Sequence, residues 1–172
     1  MPLILISGSN GSGKSLFAEE LISRTEGKRI YIATMKPQTA DNFSRIEKHR
    51  RQREHLHFDT LELPYTVASA AVDDDSVVLL EDVSNLFANA YFEKSGTVDS
   101  VLADILQLKN RCKTLVAVTI SGLQNEGYDE ETAAYINGLN NLNQHLFDLS
   151  DLAFTMEKGQ PVCQKGEPHA NS

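Results

Sequence analysis

Cysteine is scarce, long apolar runs are absent and basic residues are outnumbered, and each shortage removes a class of protein. The two cysteines, Cys112 and Cys163, lie far apart with no C-x-x-C spacing. That excludes a metal cluster or a disulfide framework and makes a reducing cytoplasm the expected compartment. No apolar run approaches the roughly 20 residues of a membrane span, so no membrane partner is expected. The opening "PLILIS" is too short for the apolar core of a signal peptide and has no basic segment before it. With 16 Lys+Arg against 24 Asp+Glu, the net charge is −8, which argues against a nucleic-acid partner. Repeats and low-complexity tracts are missing too. What remains is 172 residues with ordinary hydrophobic (41%) and charged (23%) fractions, enough for one domain with its own core. Residues 1–166 are expected to form it, with 167–172, "EPHANS", as a disordered tail.

Short apolar runs alternate with amphipathic stretches. "LILIS", "RIYIAT", "FDTLELP", "SVVLLED" and "TLVAVTI" read as strands. "KSLFAEELISR", with Leu16, Phe17, Leu21 and Ile22 at helical spacing, reads as a helix, as do "SNLFANAYF", "VDSVLADILQLKNRC" and "DEETAAYINGLNNLNQHLFDLS". Residues 39–55 form a polar segment of helical character with Thr39 or Asp41 as cap. "LAFTMEKGQPVCQKG" fits a closing strand or a hairpin around Gly159. The alternation predicts an α/β domain with a mostly parallel sheet.

The first strand runs into "GSNGSGKS", Gly8 to Ser15, a complete G-x-x-x-x-G-K-[ST] phosphate loop. Its glycines (Gly8, Gly11, Gly13) let the backbone curl so that N–H groups of Ser9, Asn10 and Ser12 turn toward phosphate oxygens, and the helix that follows adds its positive end. Lys14 is placed to reach the β- and γ-phosphates of ATP or GTP, and the Ser15 hydroxyl to bind Mg²⁺. Such a loop needs an acid at another strand end, and "VVLLED" supplies Glu81 and Asp82. The same carboxylates also suit the cap of the next helix, and both roles are compatible.

In this acidic chain, "RIEKHRRQR" gathers five cations (Arg45, Lys48, Arg50, Arg51, Arg53) against one anion, Glu47, around His49. Arg45, His49 and Arg53 share a helix face. Neighbouring cations oppose protonation of the imidazole and would bind a triphosphate. Two readings stand: a histidine that accepts a phosphoryl or nucleotidyl group covalently, and a plain phosphate-binding helix. His55 and His57 lie near or beyond the end of the segment.

With these residues in place, the sequence resembles the bifunctional adenosylcobinamide kinase/adenosylcobinamide-phosphate guanylyltransferase family of cobalamin biosynthesis. The resemblance is carried by the phosphate loop with Ala18 and Glu19, by "IYIAT" (Ile30 to Thr34), and by R-I-x-x-H-R-x-x-R at Arg45, Ile46, His49, Arg50 and Arg53. Thr60 to Glu62, the Leu79-Leu80-Glu81 strand end with Asn89, Asn143-Gln144 and Gly159 to Pro161 extend it over nearly the whole chain. It implies a phosphate-loop NTPase fold of RecA-like type and a homotrimer. It further implies a kinase step from ATP or GTP onto the alcohol of a cobinamide, then transfer of GMP through a covalent guanylyl-His49. Nucleotide contacts implied are the loop itself, Ala33, Thr34 and Met35, the run Arg50, Arg51, Gln52 and Arg53 with Arg45 beside it, and Glu62 and Glu81. The chain departs from the family pattern in three places. "TISGLQNEGYDEET" stands where the family carries T-N-E-V-G, and "AAYINGLNNLNQ" lacks two arginines and an aspartate; Phe58 replaces a tryptophan. These leave open a small-molecule kinase without guanylyl transfer, or a degenerate GTP-binding regulatory protein.

Overall fold

The computed structural model describes residues 2–36 and 40–167. Thr39, and the 168–172 part of the expected tail, lie outside the described residues. Seven strands form one sheet in the order β3-β2-β4-β5-β1-β6-β7. They are β1 (Leu3–Gly8), β2 (Lys28–Ala33), β3 (Asp59–Glu62), β4 (Ser76–Glu81), β5 (Thr114–Ile120), β6 (Leu152–Glu157) and β7 (Gln160–Lys165). Every pairing is parallel except the β6–β7 hairpin. The hairpin turns on Lys158 (φ 52°) and Gly159 (φ 77°), the two left-handed residues that a tight hairpin turn requires. The expected mostly parallel sheet and the closing hairpin are both present.

The helices are α1 (Lys14–Ser23), α2 (Ala40–Arg53), α3 (Val83–Lys94), α4 (Val98–Lys109) and α5 (Glu130–Leu149), with a single 3₁₀ turn at Glu54–Leu56 after α2. Alternation along the strands sorts the core into two layers. Leu3, Leu5, Ile30, Ile32, Val78, Leu80, Leu115 and Ala117 face α3, α4 and α5 and bury Phe87, Ile105, Leu108, Leu139 and Leu142. The opposite face, with Ile6, Tyr31, Val77, Leu79, Val116 and Val118, packs on Ala18 and Ile22 of α1. The buried side of α1 is Lys14, Ala18, Glu19 and Ile22. Leu16, read from its spacing as part of an apolar stripe, is 59% exposed, because it lies across the helix from that set.

Caps fix where the helices begin. Asp82, Thr97 and Asp129 cap α3, α4 and α5, each accepting a hydrogen bond from a backbone N–H in the first turn. Asp41 lies inside the first turn of α2, where its charge complements the helix dipole without capping it.

Gly138 on α5 sits against the ring of Phe87, which is 1% exposed; a Cβ there would lie 2.8 Å from the ring's Cζ. In most helices Gly→Ala stabilises by about 1 kcal/mol. Here overpacking, at about 1–3 kcal/mol, is expected to outweigh that gain. Gly138→Ala should therefore lower Tm by a few degrees in a thermal melt, against the helix-propensity trend.

Candidate nucleotide site

The carboxyl ends of the parallel strands converge on one edge, the place where open α/β sheets bind ligands. The phosphate loop leaves β1 there. Gly11 (φ 73°) and Gly13 (φ 92°) take left-handed backbone, and Gly8 is packed so closely that a Cβ would meet Ser12 Oγ at 2.7 Å. Gly13 stands at the N-cap of α1 with no side chain closing it, so the first N–H groups of the helix stay open to an anion. Lys14 is buried and donates to the Ser9 carbonyl at 2.7 Å, its ammonium folded across the loop. Burial lowers its pKa, opposed by the charges of Asp82 and Glu81.

The two acids at the end of β4 have different hydrogen-bond partners. Glu81 follows Val77 and Leu79 toward the α1 face, and the Ser15 hydroxyl donates to its Oε1. Asp82 follows the strand end; its Oδ1 accepts Asn85 N–H at 2.7 Å as the α3 cap, and its charge acts on Lys14. The two sequence readings of this pair therefore divide between the residues. The carboxyl of Glu81 is pushed up to about 8, chiefly by burial and then by the neighbouring Asp82 charge, against the Ser15 hydrogen bond. Burial likewise raises Asp82, opposed by its backbone bond and by Lys14 and Arg45. Glu81 Oε2 is enclosed without a hydrogen-bond partner, as is Ser12 Oγ.

An unpaired buried carboxylate oxygen beside a phosphate-loop serine fits a hard cation. Among the described residues no group of three or more His, Cys, Asp or Glu could cage a metal, so Mg²⁺ would be held by Ser15 and Glu81 together with nucleotide phosphates, with Asp82 behind them.

Register sets the next residues in a row. Ala33 pairs with Glu62 on one side and Glu81 on the other, so these three predicted contacts stand side by side at the edge. Thr34 is fully buried; its hydroxyl donates to the Asp82 carbonyl and accepts Asp82 N–H at 2.8 Å. Its side chain thus clasps β2 to β4, while Met35 continues along the edge, half-buried. Asn89 reinforces the clasp with bonds to the carbonyls of Thr34 and Pro64.

The α2 face predicted to be shared by Arg45, His49 and Arg53 leans on this edge. Arg45 is near enough to Asp82 for its charge to act on that carboxyl. Arg53 is 6% exposed, its guanidinium 3.6 Å from the centre of the Tyr31 ring. Between them His49 is half-buried. Its pKa is lowered first by burial, then by Arg45, Arg53 and Lys48, so the cations that the sequence offered as the cause come second. Arg50 and Arg51 are exposed, pair with Glu47 at 3.2 Å, and line a cavity of about 700 Å³ with Arg53, His57, Phe58 and Thr60. The structure sets this cavity on the α2–β3 flank rather than in the phosphate loop. Gln52 Nε2 donates to Glu19 Oε2 at 2.6 Å, joining α2 to α1. Sequence reasoning gave Tyr31 and Glu19 no part in the site. An acid on the buried stripe of α1 was the available signal.

The strand order puts β5 between the phosphate-loop strand β1 and the acid-bearing strand β4, which with the loop defines a RecA-like phosphate-loop fold. The chain belongs to the family described as "Cobinamide kinase / cobinamide phosphate guanyltransferase", whose model matches residues 4–163. A "UPF0200 protein" of Hyperthermus butylicus is 31% identical over 105 residues, 55% of this chain and 53% of that protein. The match therefore spans about half the length of that curated relative. Among solved structures, the Pyrococcus horikoshii OT3 protein PH0250 superposes with a TM-score of 0.58 at 8% identity, over 97% of this chain and 87% of that one; the likeness is one of fold. A KaiC-like protein, PH0186, from the same organism matches at TM-score 0.49 and 11% identity, over 99% and 82%. Among the described residues no helix is long and apolar enough to cross a membrane.

Because His49 is lowered by burial and cations together, its imidazole should titrate below the ordinary 6.5 in an NMR pH series. Arg45→Ala removes the larger charge contribution and leaves burial, so the midpoint should rise without fully returning. A midpoint at or above the ordinary value would contradict this account.

Proposed function

We propose that this protein is a GTP/ATP-dependent enzyme of cobalamin biosynthesis. It phosphorylates the alcohol of a cobinamide and then transfers GMP from GTP to the resulting phosphate through His49. The observation that carries the reading is a half-buried histidine kept unprotonated on the face of α2 that leans on the phosphate-loop edge. Membership of a family described by those two activities supports it.

In the first reaction the loop N–H groups and Lys14 hold the β- and γ-phosphates. The substrate hydroxyl attacks the γ-phosphorus; the new O–P bond forms as the bond to the bridging oxygen breaks, and the hydroxyl proton is released. Ser15 and Glu81 would hold a Mg²⁺ ion, which would supply neutralisation of charge on the phosphate oxygens. In the second reaction the lone pair of neutral His49 attacks the α-phosphorus of GTP. An N–P bond forms, the Pα–O bond to pyrophosphate breaks, and pyrophosphate leaves with the electron pair. Arg45 lies one helical turn from His49 and offers a guanidinium to the charge that builds there. A phosphate oxygen of the cobinamide phosphate then attacks the same phosphorus, and the N–P bond breaks to restore the imidazole. The mechanism asks for an imidazole that is neutral at working pH, and burial plus cations provide it.

Incubation with α-labelled GTP and Mg²⁺ should give a protein-bound label that is acid-labile and hydroxylamine-stable, and His49→Ala should abolish it. Lys14→Ala should remove phosphate transfer from γ-labelled ATP. Phosphate transfer that survives His49→Ala with no covalent label in the wild type would reassign the protein as a simple phosphate-loop kinase. Tight GTP binding with neither reaction would make it a regulatory nucleotide binder.

A further inference from the structure

The helix that carries His49 cannot hold itself in place by apolar burial. Of the fourteen residues of α2, Arg53 is the one that is buried, and most of the others are polar. What fastens its C-terminal end is a pair of polar contacts on successive residues. Arg53 lays its guanidinium over the Tyr31 ring at 3.6 Å, and Gln52 donates to Glu19 at 2.6 Å. Successive residues on a helix point about 100° apart, so two such anchors fix rotation about the axis as well as position. At the other end Asn42 Nδ2 donates to the Lys36 carbonyl at 3.2 Å.

The partners of these anchors are what give them meaning. Glu19 lies one turn beyond Ser15 on α1, and Ser15 is the residue that bonds Glu81. Tyr31 lies two residues before Ala33 on β2, on the sheet face that Glu81 also shares. Its ring is wedged edge-on against Phe58 at 5.7 Å, which keeps the surface beneath Arg53 rigid. The orientation of the His49 helix is thus referenced to the same helix and strand that set the phosphate loop and its acid.

We infer that Tyr31 and Glu19 are positioning residues for the transfer reaction: acting through Arg53 and Gln52, they set the rotation of α2 that aims His49 at the bound nucleotide. The inference rests on the covalent role proposed for His49 and adds residues that touch neither nucleotide nor substrate. Loss of either anchor should lower the rate of the first covalent step by far more than it weakens nucleotide binding, since the loop, Lys14 and Glu81 are untouched. The chemistry distinguishes the anchors from general packing. A phenyl ring serves Arg53 as well as a phenol, and a glutamine carbonyl accepts from Gln52 as a carboxylate does.

The test compares the single-turnover rate of label transfer from α-labelled GTP, alongside Mg²⁺·GTP affinity, in Tyr31→Phe, Tyr31→Leu, Glu19→Gln, Glu19→Leu and Gln52→Ala. Tyr31→Phe and Glu19→Gln should label close to the wild-type rate. Tyr31→Leu, Glu19→Leu and Gln52→Ala should slow labelling by about ten- to a hundredfold, the range for small misplacement of a reacting group, with a much smaller change in nucleotide affinity. Gln52 is only half-buried, so its alanine variant tests the anchor even where a buried leucine disturbs folding. Labelling at the wild-type rate in Gln52→Ala and both leucine variants overturns the inference. Loss of affinity in parallel with rate overturns it too, since that is the mark of a merely structural role. A wild type that takes no label removes the covalent reading itself, and this inference with it.

Discussion

The hydrogen bond from the Ser15 hydroxyl to Glu81 joins residues 66 positions apart in sequence, and the rest of the site is arranged around it. It requires β1 and β4 to end at the same edge although β5 lies between them, which the parallel pairing on both sides of β5 provides. It also requires the correct parity on β4: a one-residue slip would send Glu81 to the far face. The four buried apolar residues Val77–Leu80 hold that register, because any slip exposes or crowds both layers of core at once. The polar contact is thus a consequence of the packing, and the orphaned Glu81 oxygen beside it is where the fold gives up a buried hydrogen bond for chemistry.

The sheet, its helices and the phosphate loop were legible because each is written locally. Apolar runs of five to seven residues mark the strands, the glycines and Lys14 mark the loop, and Asp82, Thr97 and Asp129 mark helix starts. The site was legible in part. Glu81, Ala33 and Glu62 were named from sequence, and register brings them into one row. The division of labour between Glu81 and Asp82 was not legible, since it depends on which partners the fold brings to each, Ser15 and Asn85. The anchoring role of Arg53 was hidden for a related reason. A string of arginines reads as one solvated, phosphate-seeking face, yet one of them stacks on an aromatic ring from a strand more than twenty residues earlier. Thr34 looked like a nucleotide contact, and its hydroxyl is taken up by the backbone at Asp82.

The histidine shows how a correct expectation can rest on the lesser cause. Local charge alone predicts a lowered pKa for His49, and the direction agrees. Desolvation contributes more, followed by Arg45, Arg53 and Lys48. The two causes differ in consequence. Charge is screened by salt, whereas burial depends on how α2 is seated. The protonation state of the imidazole is therefore tied to the same seating that aims it, and both depend on the contacts at Arg53 and Gln52.

The long helix α5 carries no lysine or arginine, so the positive charge of α2 has no counterpart there. Where the family pattern has arginines and an aspartate, this chain's α5 is rich in asparagine, and those side chains serve structure. Asn125 donates to Asn137, Asn140 to the Leu123 carbonyl, and Asn143 to the Ile120 carbonyl while accepting the Thr119 hydroxyl. They pin the loop after β5 and the end of β5 itself, and they bring no net charge to the edge. In a chain of net charge −8, with Glu62, Glu81 and Asp82 on or beside that edge, a polyphosphate meets repulsion unless cations are supplied locally. Lys14 supplies one, and α1 contributes the partial charge of its N-terminus. The remainder has to come from the segment that crosses the edge between β2 and β3, which is α2. Its basic sequence is then the electrostatic complement of an acidic sheet edge, and the weak apolar anchoring of α2 follows from it: a helix with that much charge cannot also bury a broad apolar face, so its ends are held by a stacked arginine and by amide hydrogen bonds from Gln52 and Asn42.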